Sequence, residues 1–289
     1  MCDEMQLAQM GRTTVNRREF AKIGALAAVA TTSCLPGAAI AQAAVPKVTQ
    51  ATFAVPGGKM DSVFITPAQG KHPAVIVWPD VAGLRDSFIA MGKRLARAGY
   101  SVVILNPYYA DAPAPQFDDF DAFRKNDGMT KVTPWREKLT PAHVQEVAKA
   151  VVAWLDKQDS VDTARGIGVQ GYCTFGGFAV WTAAAVPERI KAVASFHGAD
   201  LVGDADTAPV KELGTTQASY LFAIARNDDK SKPGDKDALK SAASAAGRTA
   251  TVEVFKADHG WTVDDSPVFD SDLADKAWNE LLALYSKNL

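Results

Sequence analysis

The chain has 289 residues, 47% of them hydrophobic and 22% charged, with a formal net charge of −2. That balance excludes a disordered or collagen-like chain, and without a basic stripe it makes nucleic acid a poor partner. Three cysteines, Cys2, Cys34 and Cys173, are too few for a disulfide framework or a Cys-rich zinc site; no metal and no other cofactor is expected.

Residues 1–41 read as a leader rather than as fold. Asn16-Arg17-Arg18-Glu19-Phe20 precedes a short apolar run from Ile23 to Val29, and Ala39-Ile40-Ala41 offers small residues for cleavage. A basic region, an apolar stretch and a small-residue exit make a secretory signal. The paired arginines resemble the twin-arginine export signal, which implies the twin-arginine machinery as a partner and a bacterial periplasm as destination. The apolar run is shorter than the roughly 20 residues of a membrane span. No stable span is expected after processing, the alternative being a leader kept as an anchor. Cleavage near Ala41 leaves Cys173 as the one mature cysteine, either buried and inert or chemically used.

Residues 42–289 read as one domain. Thr52–Val55 and Ser62–Ile65 form two strands around Pro56-Gly57-Gly58, and the continuous apolar run Ala74–Trp78 is a strand buried on both faces. Phe88, Met91 and Leu95 have helical spacing, with Gly99 as the stop. Tyr100–Leu105 is the next strand, and residues 110–140, rich in Asp, Pro and Lys without a period, read as irregular. A helix over Val144–Leu155, a strand over Ile167–Tyr172 and a helix over Gly176–Val186 follow. Ala192–Phe196 and Tyr220–Ala225 are strands, Asp235–Ala246 a helix, Thr251–Phe255 a last strand. Ala274, Trp278, Leu281, Leu282 and Tyr285 mark one face of a closing helix. Strands alternating with helices predict an α/β fold: a mostly parallel twisted sheet covered on both faces. Chemistry then belongs at the carboxyl ends of the strands.

Three strand ends carry suitable groups. Gly171-Tyr172-Cys173-Thr174-Phe175-Gly176-Gly177 sits at a strand-to-helix turn and has the form of a nucleophile elbow with Cys for Ser. Such a turn lifts the thiol above the sheet, aims a helix N-terminus at it and turns the Thr174 amide toward a developing oxyanion. Asp228, with Asp229 as its competitor, follows another strand, and His259 in Asp258-His259-Gly260-Trp261 follows the last. The order nucleophile, acid, base is that of the α/β-hydrolases.

The Gly-Tyr-Cys elbow, the late His-Gly-Trp and Trp78-Pro79-Asp80-Val81-Ala82-Gly83-Leu84-Arg85 together resemble the dienelactone hydrolase family, from about Thr52 to the C-terminus. The resemblance implies the α/β-hydrolase fold, a Cys173-His259-Asp228 triad and hydrolysis of a small ester or lactone through a thioester acyl-enzyme. It implies that Asp80 pairs with the resting thiol and that the Val81 amide is the second oxyanion donor. It puts a tyrosine of Asn106-Pro107-Tyr108-Tyr109 in the pocket, read as Tyr109; Arg85 and Trp261 are read from the sequence as further substrate contacts.

The sequence departs from the family pattern at three places. Phe175 stands where the elbow takes Gly, Asp80 is a methylene shorter than the usual Glu, and Val263 stands where an arginine holds a substrate carboxylate. The last departure predicts a substrate without that carboxylate. Each candidate has a plainer reading. Asp80 also fits a helix N-cap, Arg85 a simple ion pair, and Tyr109 ordinary packing. His197, ending a strand in Ser195-Phe196-His197-Gly198, reads as a packed histidine bonded to backbone, with a pocket role left open. The alternative function is a binding-only descendant whose elbow Phe175 has distorted. A redox thiol protein lacks a resolving cysteine.

Overall fold

In the computed structural model, which describes residues 45–289, β1 (Lys47–Val55) and β2 (Gly58–Thr66) form an antiparallel hairpin. The expected leader lies outside the described residues. The first strand begins at Lys47 rather than Thr52 because its outer residues are exposed and show no apolar alternation to mark them. Then come β3 (Ala74–Trp78), β4 (Ser101–Leu105), β5 (Ile167–Tyr172), β6 (Ile190–Phe196), β7 (Ser219–Ala225) and β8 (Ala250–Phe255). They form one sheet in the order β1-β2-β4-β3-β5-β6-β7-β8, parallel from β4 to β8.

The helices are α1 (Asp86–Arg97), α2 (Phe120–Lys125), α3 (Gly128–Arg136), α4 (Pro141–Leu155), α5 (Gly176–Ala185), α6 (Arg226–Ser231), α7 (Asp235–Ala245) and α8 (Ser271–Asn288). The period-2 pleat sends neighbouring strand residues into opposite layers. Ala74, Ile76 and Trp78 of β3 enter one core with α4, α5 and α7, and Val75 and Val77 enter the other with α1 and α8. Every residue of β3, β4 and β5 is buried, which is why these strands read as unbroken apolar runs. α4 starts where Thr140 accepts the His143 N–H at 3.3 Å with Pro141 in the first turn, and it buries Val144, Val147, Val151 and Leu155.

The stretch read as irregular, 110–140, contains α2 and α3. Asp119 caps α2 by accepting the Ala122 N–H at 2.6 Å, and Phe120, Phe123 and Val132 enter the core. Each helix is too short for a period of 3.6 to show against its neighbours, and α3 holds Pro134. Among the described residues no helix is long and apolar enough to cross a membrane.

Candidate active site

β5 runs into a single 3₁₀ turn, Cys173–Phe175, that passes directly into α5. Cys173 sits at φ 54°, a left-handed conformation that costs a non-glycine residue about 1–2 kcal/mol and persists only where its surroundings hold it. They do so on both sides. The Cys173 N–H donates to His197 Nδ1 at 3.1 Å, and its carbonyl accepts the Ala199 N–H at 3.1 Å.

The crowding that forces small residues falls at Gly171 and Gly176. A Cβ on Gly171 would lie 2.2 Å from the Phe175 carbonyl oxygen, and one on Gly176 2.4 Å from Ser195 Oγ and 2.5 Å from Gly198 Cα. Phe175 itself has φ −97° and ψ 9°, and its buried ring packs against Tyr108 and Phe178, with centroids 5.8 and 4.8 Å away. The close approach to the next strand therefore comes one residue after Phe175, and the elbow, which the alternative reading has Phe175 distort, is formed.

His259 follows β8 and is buried, with its backbone N–H on Asn227 Oδ1 at 2.9 Å. Its Nδ1 meets Asp228 Oδ2 at 2.8 Å, and its ring is hydrogen-bonded to the Cys173 sulfur. Burial alone pulls the imidazolium down. Attraction to the Cys173 sulfur, seconded by the hydrogen bonds to Asp228 and Cys173, pushes it up to about 10. Asp229, the competing acid, binds Lys236 Nζ at 2.8 and 3.0 Å. So Asp228 is the carboxylate on His259.

Two backbone N–H groups follow the neighbouring strands β3 and β5. In the turn after β3 the Gly83 N–H bonds to the Asp80 carbonyl and the Ala82 N–H to Asp80 Oδ1, both at 2.9 Å. The Val81 N–H donates to no group among the described residues, and the Val81 carbonyl accepts the Tyr108 hydroxyl at 2.7 Å. The Thr174 N–H lies in the first turn of a helix, where N–H groups have no intrahelical acceptor.

Four expectations require correction. Asp80 is not the partner of the thiol, since its carboxylate is held bidentately by Arg85 at 2.7 and 2.9 Å. Arg85 is no substrate contact. It is 1% exposed, and Asp265 accepts from its other edge at 2.6 and 2.8 Å. Tyr109 turns away from the site. Its hydroxyl bonds to the Pro56 carbonyl and meets His143 Nε2 at 2.9 Å, leaving Tyr108 as the tyrosine beside the elbow. Trp261 is fully buried beneath the site, against Phe255 and His197 at centroid distances of 5.1 and 5.3 Å.

Two residues enter the site that the sequence reading left out or left open. Arg136, at the end of α3, donates from Nη2 to Thr174 Oγ1 at 2.8 Å. It is half-buried and makes no ion pair among the described residues. It lies in the stretch read as irregular, and no sequence signal marks it. Val263 leaves no arginine four residues after His259, while Arg136 brings a guanidinium to Thr174 from another element. His197 was visible as a strand-end histidine, and the structure seats its ring 4.7 Å, centroid to centroid, from that of His259. No cluster of His, Cys, Asp and Glu that could hold a metal ion occurs among the described residues.

This strand order, with helices on both faces and Cys173 on the turn between β5 and α5, is the α/β-hydrolase fold. The chain belongs to the dienelactone hydrolase family, whose model matches residues 60–289. A protein of Synechocystis sp. named "Putative carboxymethylenebutenolidase" is 25% identical over 230 residues, 77% of this chain and 89% of that protein. Among solved structures, "Putative Dienelactone Hydrolase" of Klebsiella pneumoniae subsp. pneumoniae superposes with a TM-score of 0.72 at 22% identity, covering 83% of this chain and 98% of that one. A dienelactone hydrolase-like promiscuous phosphotriesterase from metagenomic libraries superposes with a TM-score of 0.66 at 18% identity, covering 84% and 99%. These two likenesses are to the fold.

Proposed function

We propose that the protein hydrolyses a small ester or lactone through a Cys173-His259-Asp228 triad. The observation that carries this reading is His259 clasped between the Cys173 sulfur and the Asp228 carboxylate. The thiolate adds to the acyl carbon, and the carbonyl oxygen becomes an oxyanion facing the Val81 and Thr174 N–H groups. The C–O bond then breaks, the leaving alkoxide takes the His259 proton, and a thioester remains on Cys173. Water, giving its proton to His259, adds to the thioester, and the thiolate departs with the acid released. With Asp80 committed to Arg85, the resting thiolate is paired with the His259 imidazolium, and no acidic residue has to swing away when substrate enters.

Arg136, beside Thr174 and without an ion pair among the described residues, favours a substrate with a carboxylate near the scissile bond, since a guanidinium fork binds that group best. The test is a panel of matched esters and lactones, with and without a carboxylate, on wild type, Cys173→Ala and Arg136→Ala. Turnover falls to background in Cys173→Ala. Arg136→Ala loses about tenfold or more in preference for the carboxylated member. Wild-type turnover by Cys173→Ala moves the nucleophile elsewhere. No acylation of Cys173 by any ester makes the protein a binding module.

We also propose that the protein is exported folded to the periplasm, on the strength of Arg17-Arg18 and the apolar run after them. Replacing both arginines by lysine is expected to leave a precursor in the cytoplasm, and undisturbed export of that variant excludes the twin-arginine route.

A further inference from the structure

The family's reaction scheme gives no task to a second histidine, yet His197 is buried at the end of β6, with φ 41°, against both the nucleophile and the base. Its hydrogen bonds settle its protonation. A backbone N–H can only donate, so the bond from the Cys173 N–H makes Nδ1 an acceptor without a proton. The ring's hydrogen is then on Nε2, which donates to Thr262 Oγ1 at 3.2 Å. A proton on Nδ1 would set two N–H donors against each other and add a second cation beside the His259 imidazolium. The titratable groups around the ring are Cys173 and Tyr172 from β5 and its turn, and His259 from the segment after β8. Burial and the charge of His259 both depress protonation of His197.

We propose that His197 is a positioning residue for the thiol: as the neutral Nε2–H tautomer, anchored by Thr262, it accepts the Cys173 N–H and so holds the left-handed backbone that keeps the sulfur on His259. This rests on Cys173 being the nucleophile. The acceptor satisfies a buried N–H that a strained residue would otherwise leave open, and an uncharged ring leaves the imidazolium of the thiolate pair as the single positive charge between the two histidines.

The experiment needs no substrate. The rate of Cys173 alkylation by iodoacetamide is measured against pH on wild type, His197→Phe and His197→Asn. Phenylalanine keeps the ring and removes the acceptor. Asparagine offers an amide oxygen and tolerates positive φ. His197→Phe is expected to lose about 10- to 100-fold in rate at neutral pH, the range of an unmade buried hydrogen bond, and to move the midpoint of thiolate formation up by about one unit or more. His197→Asn recovers most of both. A wild-type rate and midpoint in His197→Phe overturn the proposal, as does an Asn variant no better than Phe. Should His197→Phe fail to fold, Thr262→Val is read in its place. Loss of the Nε2–H anchor is expected to slow alkylation about three- to tenfold, and no change overturns the proposal. If wild-type Cys173 itself alkylates no faster than a simple thiol at neutral pH, the hydrolase reading fails first, and separately.

Discussion

Burial works against a proton on His259, while the Cys173 sulfur and the Asp228 carboxylate hold it there up to a pH of about 10. In the proposed reaction that proton is the one the leaving alkoxide takes, so kcat/KM is expected to fall as pH rises through about 10. Asp228→Asn removes one of the influences that raise the group. The imidazolium then gives up its proton at lower pH, and the alkaline limb moves down by on the order of one unit. Asp229→Asn leaves the limb where it is, because Asp229 faces Lys236. The side-by-side pH profiles check both statements. In Cys173→Ala the strongest raising influence is gone, and the His259 titration followed by NMR drops below its wild-type value.

The turn after β5 works as an element because Gly171 lets it close on the Phe175 carbonyl and Gly176 lets it touch Ser195 and Gly198, while Phe175 does not have to make that approach. Phe175 fills space between Tyr108 and Phe178, so restoring a small residue there does not improve the elbow. Phe175→Ala is expected to lose about 3–5 kcal/mol of stability in chemical denaturation, the usual loss for a buried phenylalanine, with Cys173 alkylation falling alongside. A stable variant with unchanged alkylation would show that the ring is not what supports the turn.

At the scale of the whole molecule, Arg85 fastens three stretches of chain that are far apart in sequence. Its guanidinium lies between Asp80, in the turn after β3, and Asp265, after β8, and Asp265 Oδ2 also accepts the Phe120 N–H at 2.9 Å where α2 begins. The cation stands over Phe88 and Phe120, 5.2 and 5.7 Å from their centroids. Taking away one partner of such a buried set leaves uncompensated charge. Arg85→Ala is therefore expected to lose about 3–5 kcal/mol, measured by denaturation at neutral pH. Asp80→Asn combined with Asp265→Asn in the same background is expected to recover part of the loss, and a fully stable Arg85→Ala would show that the cluster adds no net stability.

The sequence by itself determined the alternation of strands and helices, the sheet buried on both faces and the order Cys173, Asp228, His259 at strand ends. These are local features: an apolar run, a period of 3.6, a residue type after a strand. Even the family resemblance rests on such short stretches. The tertiary structure decided which of two neighbours meets His259 or the elbow. Asp228 and Asp229, or Tyr108 and Tyr109, differ by one residue, and after a strand ends the direction of a side chain depends on single dihedral angles, such as φ 54° at Cys173 and φ 41° at His197. It also decided partnerships across long separations. Arg85 meets Asp265 across 180 residues of chain, and Arg136 reaches Thr174 across 38. Pairing at such distances follows from how layers pack, which no window of neighbouring residues contains.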